Sequence, residues 1–334
     1  MPDTDNHLQP FNDLAPDEIL NAIESIGFTC DGHVSALNSY ENRVYQVGIE
    51  DSKPVIAKFY RPHRWSDACI LEEHAFTAAL VQAELPVIHT LTDASGQTLF
   101  HSGPYRIAIY PRVGGRAPEL DDADHLLRLG RCLARLHNVA ATQTFQHRPS
   151  IDIQGFVTQP CEFLLENNFI PADIRKSFES ITGFLEKGIN ACYARAGHIR
   201  LIRLHGDCHI GNILWYNDGP FLVDFDDARM GPAIQDLWML LSGDRSYMTA
   251  RLHDLLEGYT EFRILDAREL HLVEALRTMR MVHYAGWLAR RWEDPAFKHA
   301  FPWFNTQQYW EAQILHLKEQ LALMDEPPLE MKAV

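Results

Sequence analysis

The sequence is poor in basic residues and has no paired cysteines, and both shortages exclude classes of protein. Its 334 residues include 30 Lys and Arg against 45 Asp and Glu, so the formal net charge is −15 with histidine neutral. Such an acidic chain is not expected to bind nucleic acid or an anionic membrane surface. The six cysteines stand singly, without a CxxC pair. This spacing argues against a disulfide framework and against a structural zinc site.

Long apolar runs are also absent. No stretch reaches the roughly 18 residues of a membrane span. The segment MPDTDNHLQPFNDLAP (1–16) is acidic and polar, unlike a signal peptide. Apolar residues still make up 46% of the chain, enough for a substantial core. We therefore predict a cytoplasmic, monomeric protein with reduced thiols, whose length indicates two lobes.

Apolar periodicity predicts a small sheet followed by a helical region. Strands are predicted at 43–49, 54–60, 97–101 and 105–110, with helices at 16–26 and 66–84. The Pro/Gly segment PRVGGR (111–116) predicts a hinge. Beyond it, helices are predicted at 121–139, 172–195, 233–242, 247–262, 267–291 and 306–324. The predicted fold is α+β and bilobal, with residues 1–111 as the nucleotide-binding lobe and 112–334 as the helical lobe.

The stretch RLHGDCHIGNILW (203–215) is dense in side chains that bind metals or carry out catalysis. One interpretation is a zinc site that includes Cys208. Against it, no second cysteine lies within fifteen residues, and Gly206 and Gly211 favour a loop over the helix that a His205–His209 pair would need.

The other interpretation of this stretch is phosphoryl transfer. Asp207 precedes Asn212 by five residues, the spacing between the catalytic Asp and the metal-binding Asn of kinases. Asp224 follows at the end of a second apolar run, and Asn217-Asp218-Gly219 predicts a hairpin between the two runs. The spacing predicts Asp207 as the proton acceptor, with Asn212 and Asp224 as Mg²⁺ ligands.

An upstream lysine fits the same chemistry. Lys58 ends the run Val-Ile-Ala-Lys, as in the kinase strand whose lysine contacts the α and β phosphates. Its acidic partner is expected on the next predicted helix, where both Glu72 and Glu73 qualify. We predict Glu73, because it borders the apolar face of the helix.

The phosphate-covering loop departs from the kinase pattern. Its expected position, LNSYENRVY (37–45), contains no glycine. Ser39, Asn42 and nearby backbone N–H groups are the predicted phosphate contacts, while adenine is placed against the hinge at Tyr110 and Val113. The missing glycines argue against a standard eukaryotic protein kinase and favour kinase relatives that phosphorylate small molecules.

The catalytic strings HGDCHIGNILW and FLVDFDDA resemble those of the aminoglycoside phosphotransferase and choline kinase superfamily. Longer strings, including LNSYENRVYQV, AKFYRPHRW and RRWEDPAFKHAFPWF, are similar to a bacterial serine/threonine protein kinase branch of it. The resemblance covers residues 14 to 330. It implies a protein-kinase-like fold, dependence on ATP and Mg²⁺, autophosphorylation, and a role in protection from stress-induced death. It also places Asp236 as a brace for the catalytic loop and Ser39 at the ATP site.

Alternative functions remain open at this point. A small-molecule kinase of the choline, homoserine or aminoglycoside type keeps the fold but changes the acceptor, and Trp238, Trp287 and Trp292 are available to line a pocket for a cationic one. A pseudokinase is disfavoured because the lysine, the base and the metal ligands are all present. The roles of Asp226, Asp227 and Arg229 stay undecided.

Overall fold

The structure is a computed structural model that describes residues 10–11, 14–217 and 219–331. Most of the polar N-terminal segment, and Asp218 of the predicted hairpin turn, lie outside the described residues. The described chain forms two compact units. The first contains the residues up to 118 together with 145–148 and 210–228, and the second contains 119–144, 149–209 and the residues from 229 onward. The division of the sequence at 111/112 stays a prediction.

The secondary structure follows the predicted order. The helices are α1 (Pro16–Ser25), α2 (Asp67–Gln82), α3 (Ala123–Ala140), α4 (Gln159–Glu166), α5 (Arg175–Ala196), α6 (Ile234–Trp238), α7 (Arg245–Tyr259), α8 (Val273–Arg290), α9 (Pro295–Ala300) and α10 (Gln307–Leu323). The strands are β1 (Cys30–Leu37), β2 (Arg43–Ile49), β3 (Val55–Tyr60), β4 (Phe100–Ser102), β5 (Tyr105–Pro111), β6 (Ile202–Leu204), β7 (Ile213–Tyr216), β8 (Gly219–Leu222) and β9 (Arg229–Gly231). No helix of the described residues is long and apolar enough to cross a membrane.

The first unit is built on an antiparallel sheet with the strand order β1-β2-β3-β5-β4. Side chains alternate between its two faces. Ala57 and Phe59 of β3 join the core that Ile19 and Ile23 of α1 help to form. Tyr60 instead packs in a second core that includes Ile70 of α2. Lys58 therefore points to the face of the sheet that α2 covers.

The β7–β8 hairpin belongs to the first unit. The N–H of Leu222 donates to Pro86 O at 2.9 Å, and the N–H of Arg116 donates to Trp215 O at 3.2 Å. Arg116 ends the predicted hinge segment, so the hinge is tied to the hairpin that carries the predicted metal ligands.

The second unit depends on a close approach between α3 and α7. A Cβ added to Gly258 would lie 1.9 Å from Leu127 O, and one added to Gly130 would lie 2.0 Å from Leu255 O. Only glycine permits these backbone contacts. They bring His137 of α3 beside Tyr259 of α7, with 2.8 Å between Nδ1 and the phenol oxygen.

Candidate active site

The structure brings Lys58 to the end of the β7–β8 hairpin. Its Nζ donates to Asp224 Oδ1 at 3.0 Å, and it makes an ionic contact of 3.2 Å with Asp226 Oδ1 that lacks hydrogen-bond geometry. Burial lowers the pKa of Lys58, but the charges of Asp224, Asp226 and Glu73 outweigh that effect and hold the pKa well above its usual value. Lys58 therefore remains a cation although it is almost fully buried.

Asp224 and Asp226 lie two residues apart in very different surroundings. The Asp224 side chain is 53% exposed, whereas that of Asp226 is 5% exposed. Asp224 has φ +59°, a left-handed conformation that non-glycine residues adopt rarely and often at functional sites. Asp226 is fixed by Lys58, by Arg64 and by the side-chain amide of Asn42 at 3.1 Å.

The donor set at the hairpin fits a hard divalent cation. The N–H of Val223 donates to Asn212 O at 3.0 Å, so the hairpin places Asn212 beside the residue that precedes Asp224. An amide oxygen and an exposed carboxylate suit Mg²⁺, which takes oxygen ligands and keeps several waters or phosphate oxygens. Within the described residues, no group of three or more His, Cys, Asp or Glu is arranged to hold a metal.

The predicted partner of Lys58 requires a correction. Glu73 forms its ion pair with Arg148, at 3.0 Å between Oε2 and Nη2, and not with Lys58. Glu73 still acts on Lys58 through its charge. Asp224 and Asp226 make the direct contacts with Lys58 that were predicted for Glu73. The sequence positions of these two aspartates did not indicate that they pair with Lys58.

Arg148 connects α2 to the segment that follows the hairpin. Its fully buried guanidinium donates to Cys69 O at 2.8 Å, to Asp226 O at 3.0 Å and to Ala228 O at 2.9 Å, in addition to the Glu73 carboxylate. These bonds satisfy a charge that burial would otherwise make costly.

Glu72, the alternative to Glu73, has a different task. Its carboxylate accepts the backbone N–H groups of residues 146, 147 and 148 at 2.6–2.9 Å. Glu72 and Glu73 therefore both hold the segment 145–148 onto α2, one through its backbone and the other through the Arg148 side chain.

Burial shifts the pKa values of two neighbouring side chains of α2, Glu73 and His74. It raises the pKa of Glu73 to about 7, against the opposing charges of Lys58 and Arg148. It lowers the pKa of His74 to about 3, so this ring is neutral, and its nitrogens lie 2.9 Å from Tyr60 Oη and 2.9 Å from Thr98 Oγ1.

The predicted phosphate loop is tied to the same cluster. The side-chain amide of Asn42 donates to Asp226 and accepts the N–H of Arg61 at 3.0 Å, so both of its ends are engaged. Asn42 therefore braces the loop. Ser39 lies half-buried in the turn between β1 and β2. Direct contacts of Ser39 and Asn42 with nucleotide stay predictions.

The predicted adenine contacts lie at the end of β5. Tyr110 Oη is 3.2 Å from Tyr60 Oη, and burial raises the pKa of Tyr110. Val113 is half-buried in the irregular segment that follows β5. The structure therefore links Tyr110 to the α2 side of the sheet through Tyr60.

In the second unit, Asp236 holds the loop that carries Asp207. Its two fully buried carboxylate oxygens accept the N–H groups of His205 and Gly206, each at 2.9 Å. His137 Nε2 lies 3.2 Å from Asp236 Oδ2, and its Nδ1 lies 2.8 Å from Tyr259 Oη. Gly206 has φ +86°, which favours glycine. The expected bracing role of Asp236 is what the geometry shows.

The Asp207 side chain contacts both α8 and its own loop. Its Oδ1 accepts from Arg280 Nη2 of α8 at 2.8 Å, and His209 Nε2 lies 3.4 Å from Oδ2. Cys208 between them is fully buried, as expected of a packing residue.

Three arginines of these networks escaped the sequence analysis: Arg64, Arg148 and Arg280. Arg64 lies in the quoted string AKFYRPHRW and pairs with Asp227 at 2.8 Å as well as with Asp226. Asp226 and Asp227, whose roles were undecided, are thus arginine partners. Arg229 stacks on Phe156, at 5.1 Å from the ring centre. No local pattern marks such pairs, because their members lie 73 to 163 residues apart.

Comparison with known proteins places this chain in a family. Residues 33–273 match the model of a phosphotransferase enzyme family. Stress response kinase A of Escherichia coli (strain K12) is 43% identical over 321 residues, which cover 96% of this chain and 97% of that protein. Serine/threonine protein kinase RdoA of Salmonella typhimurium matches with the same identity and coverage.

Solved structures share the fold. An amicoumacin kinase in complex with AMP-PNP, Ca²⁺ and its substrate has a TM-score of 0.71 at 18% identity, covering 94% of this chain and 95% of that one. A microcompartment-associated aminopropanol kinase has a TM-score of 0.66 at 18% identity, with coverages of 92% and 96%. These identities establish the α+β kinase-like fold alone. The family match and the kinase relatives together show that this chain belongs to the phosphotransferase enzyme family and is an ATP-dependent kinase.

Proposed function

We propose that this protein is a Mg²⁺-dependent serine/threonine protein kinase that also phosphorylates itself and acts in the bacterial cytoplasm in protection from stress. The observation that carries the nucleotide half of the proposal is the contact of Lys58 with Asp224 across 166 residues of sequence. The protein acceptor is supported by the name of the Salmonella relative, a serine/threonine protein kinase, whose identity of 43% extends over 96% of this chain.

In the proposed reaction, the acceptor oxygen forms a bond to the γ-phosphorus and the bond from that phosphorus to the bridging oxygen of ADP breaks. The proton of the hydroxyl passes to the Asp207 carboxylate. Lys58 would leave its two aspartates to neutralise the α and β phosphates, and Asn212 and Asp224 would hold a divalent metal ion. A bound Mg²⁺ supplies charge neutralisation on the phosphates. The protein contributes position and fixed charge.

A labelling experiment tests the acceptor class. Purified protein with γ-labelled ATP and Mg²⁺ is expected to label itself and an added protein such as myelin basic protein or casein, and Asp207→Asn is expected to abolish the label. ATP turnover that depends on Asp207 without label on protein would refute the protein-kinase proposal.

The alternative is a small-molecule kinase. The names of two structural neighbours favour it, since one is an amicoumacin kinase and the other an aminopropanol kinase. A screen of alcohols and amino alcohols, read by ATP consumption, distinguishes it. Acceleration by a metabolite that exceeds acceleration by any protein would support this alternative.

The metal assignment has its own test. Asp224→Asn is expected to raise the Mg²⁺ concentration needed for binding of a non-hydrolysable ATP analogue at least tenfold, because one anionic ligand is lost. Asp227→Asn, which changes the neighbouring carboxylate that Arg64 holds, is the matched control. An equal Mg²⁺ requirement in Asp224→Asn and wild type would refute the assignment.

A further inference from the structure

The partly exposed face of α8 carries a stripe of arginine and aromatic side chains beside Asp207. This α8 stripe consists of Arg277, Arg280, Tyr284, Trp287 and Arg291, and each of these residues is half-buried. Their spacing of three or four residues places them on one side of the helix, with Arg291 at its C-cap. Tyr284 and Trp287 stack at 5.5 Å between ring centres. Arg280, the second residue of the stripe, contacts Asp207.

The charge of α8 is opposite to that of the chain. Within Val273–Arg290 there are three arginines and one glutamate, 3 − 1 = +2, in a chain whose net charge is −15. The glutamate, Glu274, is already paired with Arg277 at 3.2 Å. A positive stripe on an acidic protein attracts anionic partners, and the rest of the surface repels them.

The aromatic rings of this region already have cationic partners from the chain itself. The Arg277 guanidinium lies 5.1 Å from the centre of the Trp238 ring, and that of Arg291 lies 5.7 Å from the centre of the Trp287 ring. These two tryptophans were candidates to bind a cationic acceptor. A choline-like or aminoglycoside-like cation would have to displace an arginine from each ring against like-charge repulsion.

The pair of Arg280 with Asp207 is suited to exchange. The two side chains are 37% and 27% exposed, and partly exposed ion pairs contribute little to stability. An incoming carboxylate can therefore take the guanidinium from Asp207 at little cost. Asp207 is then left to accept the hydroxyl proton, so that binding of the acceptor prepares the base.

We infer that the acceptor is a serine or threonine in an acidic, extended segment that lies along the α8 stripe. This inference rests on the proposed protein-kinase function and names its substrate class. One carboxylate beside the hydroxyl binds Arg280, and a second binds Arg291. Eleven helical residues at 1.5 Å separate the two arginines by roughly 16 Å, about five residues of extended peptide at 3.3 Å each.

A peptide series with the full-length protein and Mg²⁺-ATP tests the inference. Thirteen-residue peptides carry one central serine in a neutral background. Glutamate, glutamine or lysine is placed next to the serine, five residues from that neighbouring position in either direction, or at both positions. Each glutamate is expected to raise kcat/KM about tenfold over glutamine, the effect of one interface ion pair, and lysine is expected to lower it.

Arginine variants locate the preference. Arg280→Gln is expected to abolish the preference for the near glutamate, and Arg291→Gln that for the distant one. The matched control is Arg290→Gln, which removes the same charge one residue before Arg291. The Arg290 guanidinium stacks on Phe163, at 5.3 Å from the ring centre. The control is expected to keep both preferences. The ratio of acidic to neutral peptide is measured within each variant, so a general loss of activity does not move it.

The outcomes separate this inference from the kinase proposal. Transfer to all peptides with equal kcat/KM, or a preference unchanged in Arg280→Gln, overturns the inference and leaves the protein kinase standing. Fluorescence anisotropy with labelled peptides and a non-hydrolysable ATP analogue supplies the second readout. Selective binding of acidic peptides that depends on Arg280, without transfer, shows that the α8 stripe binds acidic segments, but it overturns the inference that such a segment is the acceptor, together with the protein-kinase proposal. The absence of both transfer and selective binding overturns the inference.

Discussion

The carboxylates around Lys58 are held by cations, whereas the loop around Asp207 is held by hydrogen bonds to its backbone. In the first unit, Asp226 and Glu73 are buried and each contacts a lysine or an arginine. In the second unit, the buried Asp236 accepts two backbone N–H groups and a histidine. Asp207 itself is partly exposed and shares one arginine.

The difference indicates how each region meets its ligand. A cluster of buried charges is stable only while every partner is present. It therefore suits a site that always binds the same ligand, such as a nucleoside triphosphate. A loop fixed through its backbone keeps its position when its reactive side chain exchanges one partner for another. We therefore expect substitutions in the first region to affect stability and those at Asp207 to affect turnover.

The largest effect is expected from Asp207→Asn. An amide in this position does not accept the proton, so kcat is expected to fall roughly 100- to 10,000-fold. Because the Asp207 side chain is 27% exposed and asparagine has nearly the same size and shape, thermal unfolding and binding of an ATP analogue are expected to remain close to wild type. Turnover measured with saturating Mg²⁺-ATP checks this, and a kcat within threefold of wild type would refute the assignment.

Arg148→Met is expected to have the largest effect on stability. It leaves Glu73 buried without its ion pair and removes the donors to Cys69, Asp226 and Ala228. Removing one partner of a buried pair costs about 3–5 kcal/mol, which urea unfolding measures.

Two variants control for this effect. Arg148→Lys is expected to recover only part of the loss, since an ammonium does not reproduce the guanidinium fork. Arg128→Met breaks an exposed pair with Asp124 and is expected to cost less than about 0.5 kcal/mol. Equal losses in Arg128→Met and Arg148→Met would remove the contrast between exposed and buried pairs.

Asp236→Asn probes the backbone-held loop. The amide presents a donor where the carboxylate accepted an N–H, so an unfavourable contact arises inside a buried network. The expected cost is about 1–3 kcal/mol of unfolding free energy, together with a lower kcat. Asp244→Asn is the control, because Asp244 caps α7 through the N–H of Tyr247 and asparagine caps equally well. A stable and fully active Asp236→Asn would contradict the bracing role.

The smallest effect concerns pH and separates the two adjacent glutamates of α2. The pKa of Glu73 is raised from 4.5 to about 7 by burial, so the folded state binds the extra proton in that window. The stability that this proton contributes is fully present below pH 4.5 and is lost as the pH rises through about 7. Glu73→Gln is expected to remove this slope from urea unfolding measured between pH 4.5 and 8.

Glu72→Gln is the matched control with the opposite sign. The N–H groups of residues 146, 147 and 148 overcome burial and lower the pKa of Glu72 below 4.5. Its contribution is present above pH 4.5 and is lost as the pH falls through the lowered value. The same pH dependence in both variants would contradict the buried pair of Glu73 with Arg148.

Local patterns in the sequence predicted much of the fold. The proline and glycine signals of α1 fit its observed span, with Gly27 at φ +106° just beyond it. Ser66 caps α2 as expected, by accepting the N–H of Cys69. The strand β1 was missed because its residues are mostly exposed and show no apolar alternation. Helix α4 was not predicted either.

The candidate site divides in the same way. Asp207, Asn212 and Asp224 follow a spacing that any reader of the sequence can measure, and the hairpin joins the last two as predicted. The partners of Lys58, Asp226 and Asp207 come from distant segments. Arg148 and Arg280 lie in stretches whose local pattern indicates only a loop and a helix, so their contacts require the tertiary fold.

The division of the chain between the two units has a consequence for synthesis. The first unit needs residues 145–148 and 210–228 in addition to those before 119. A ribosome that has released residue 118 must add about 110 more before Arg148 and Asp224 are both available, which takes roughly 5–20 s at 5–20 residues per second. During that interval Lys58 is without Asp224 and Asp226, and Glu73 is without Arg148 until residue 148 has been added. The nascent chain therefore completes its nucleotide site only after residues 119–144 and 149–209 of the second unit have been synthesised.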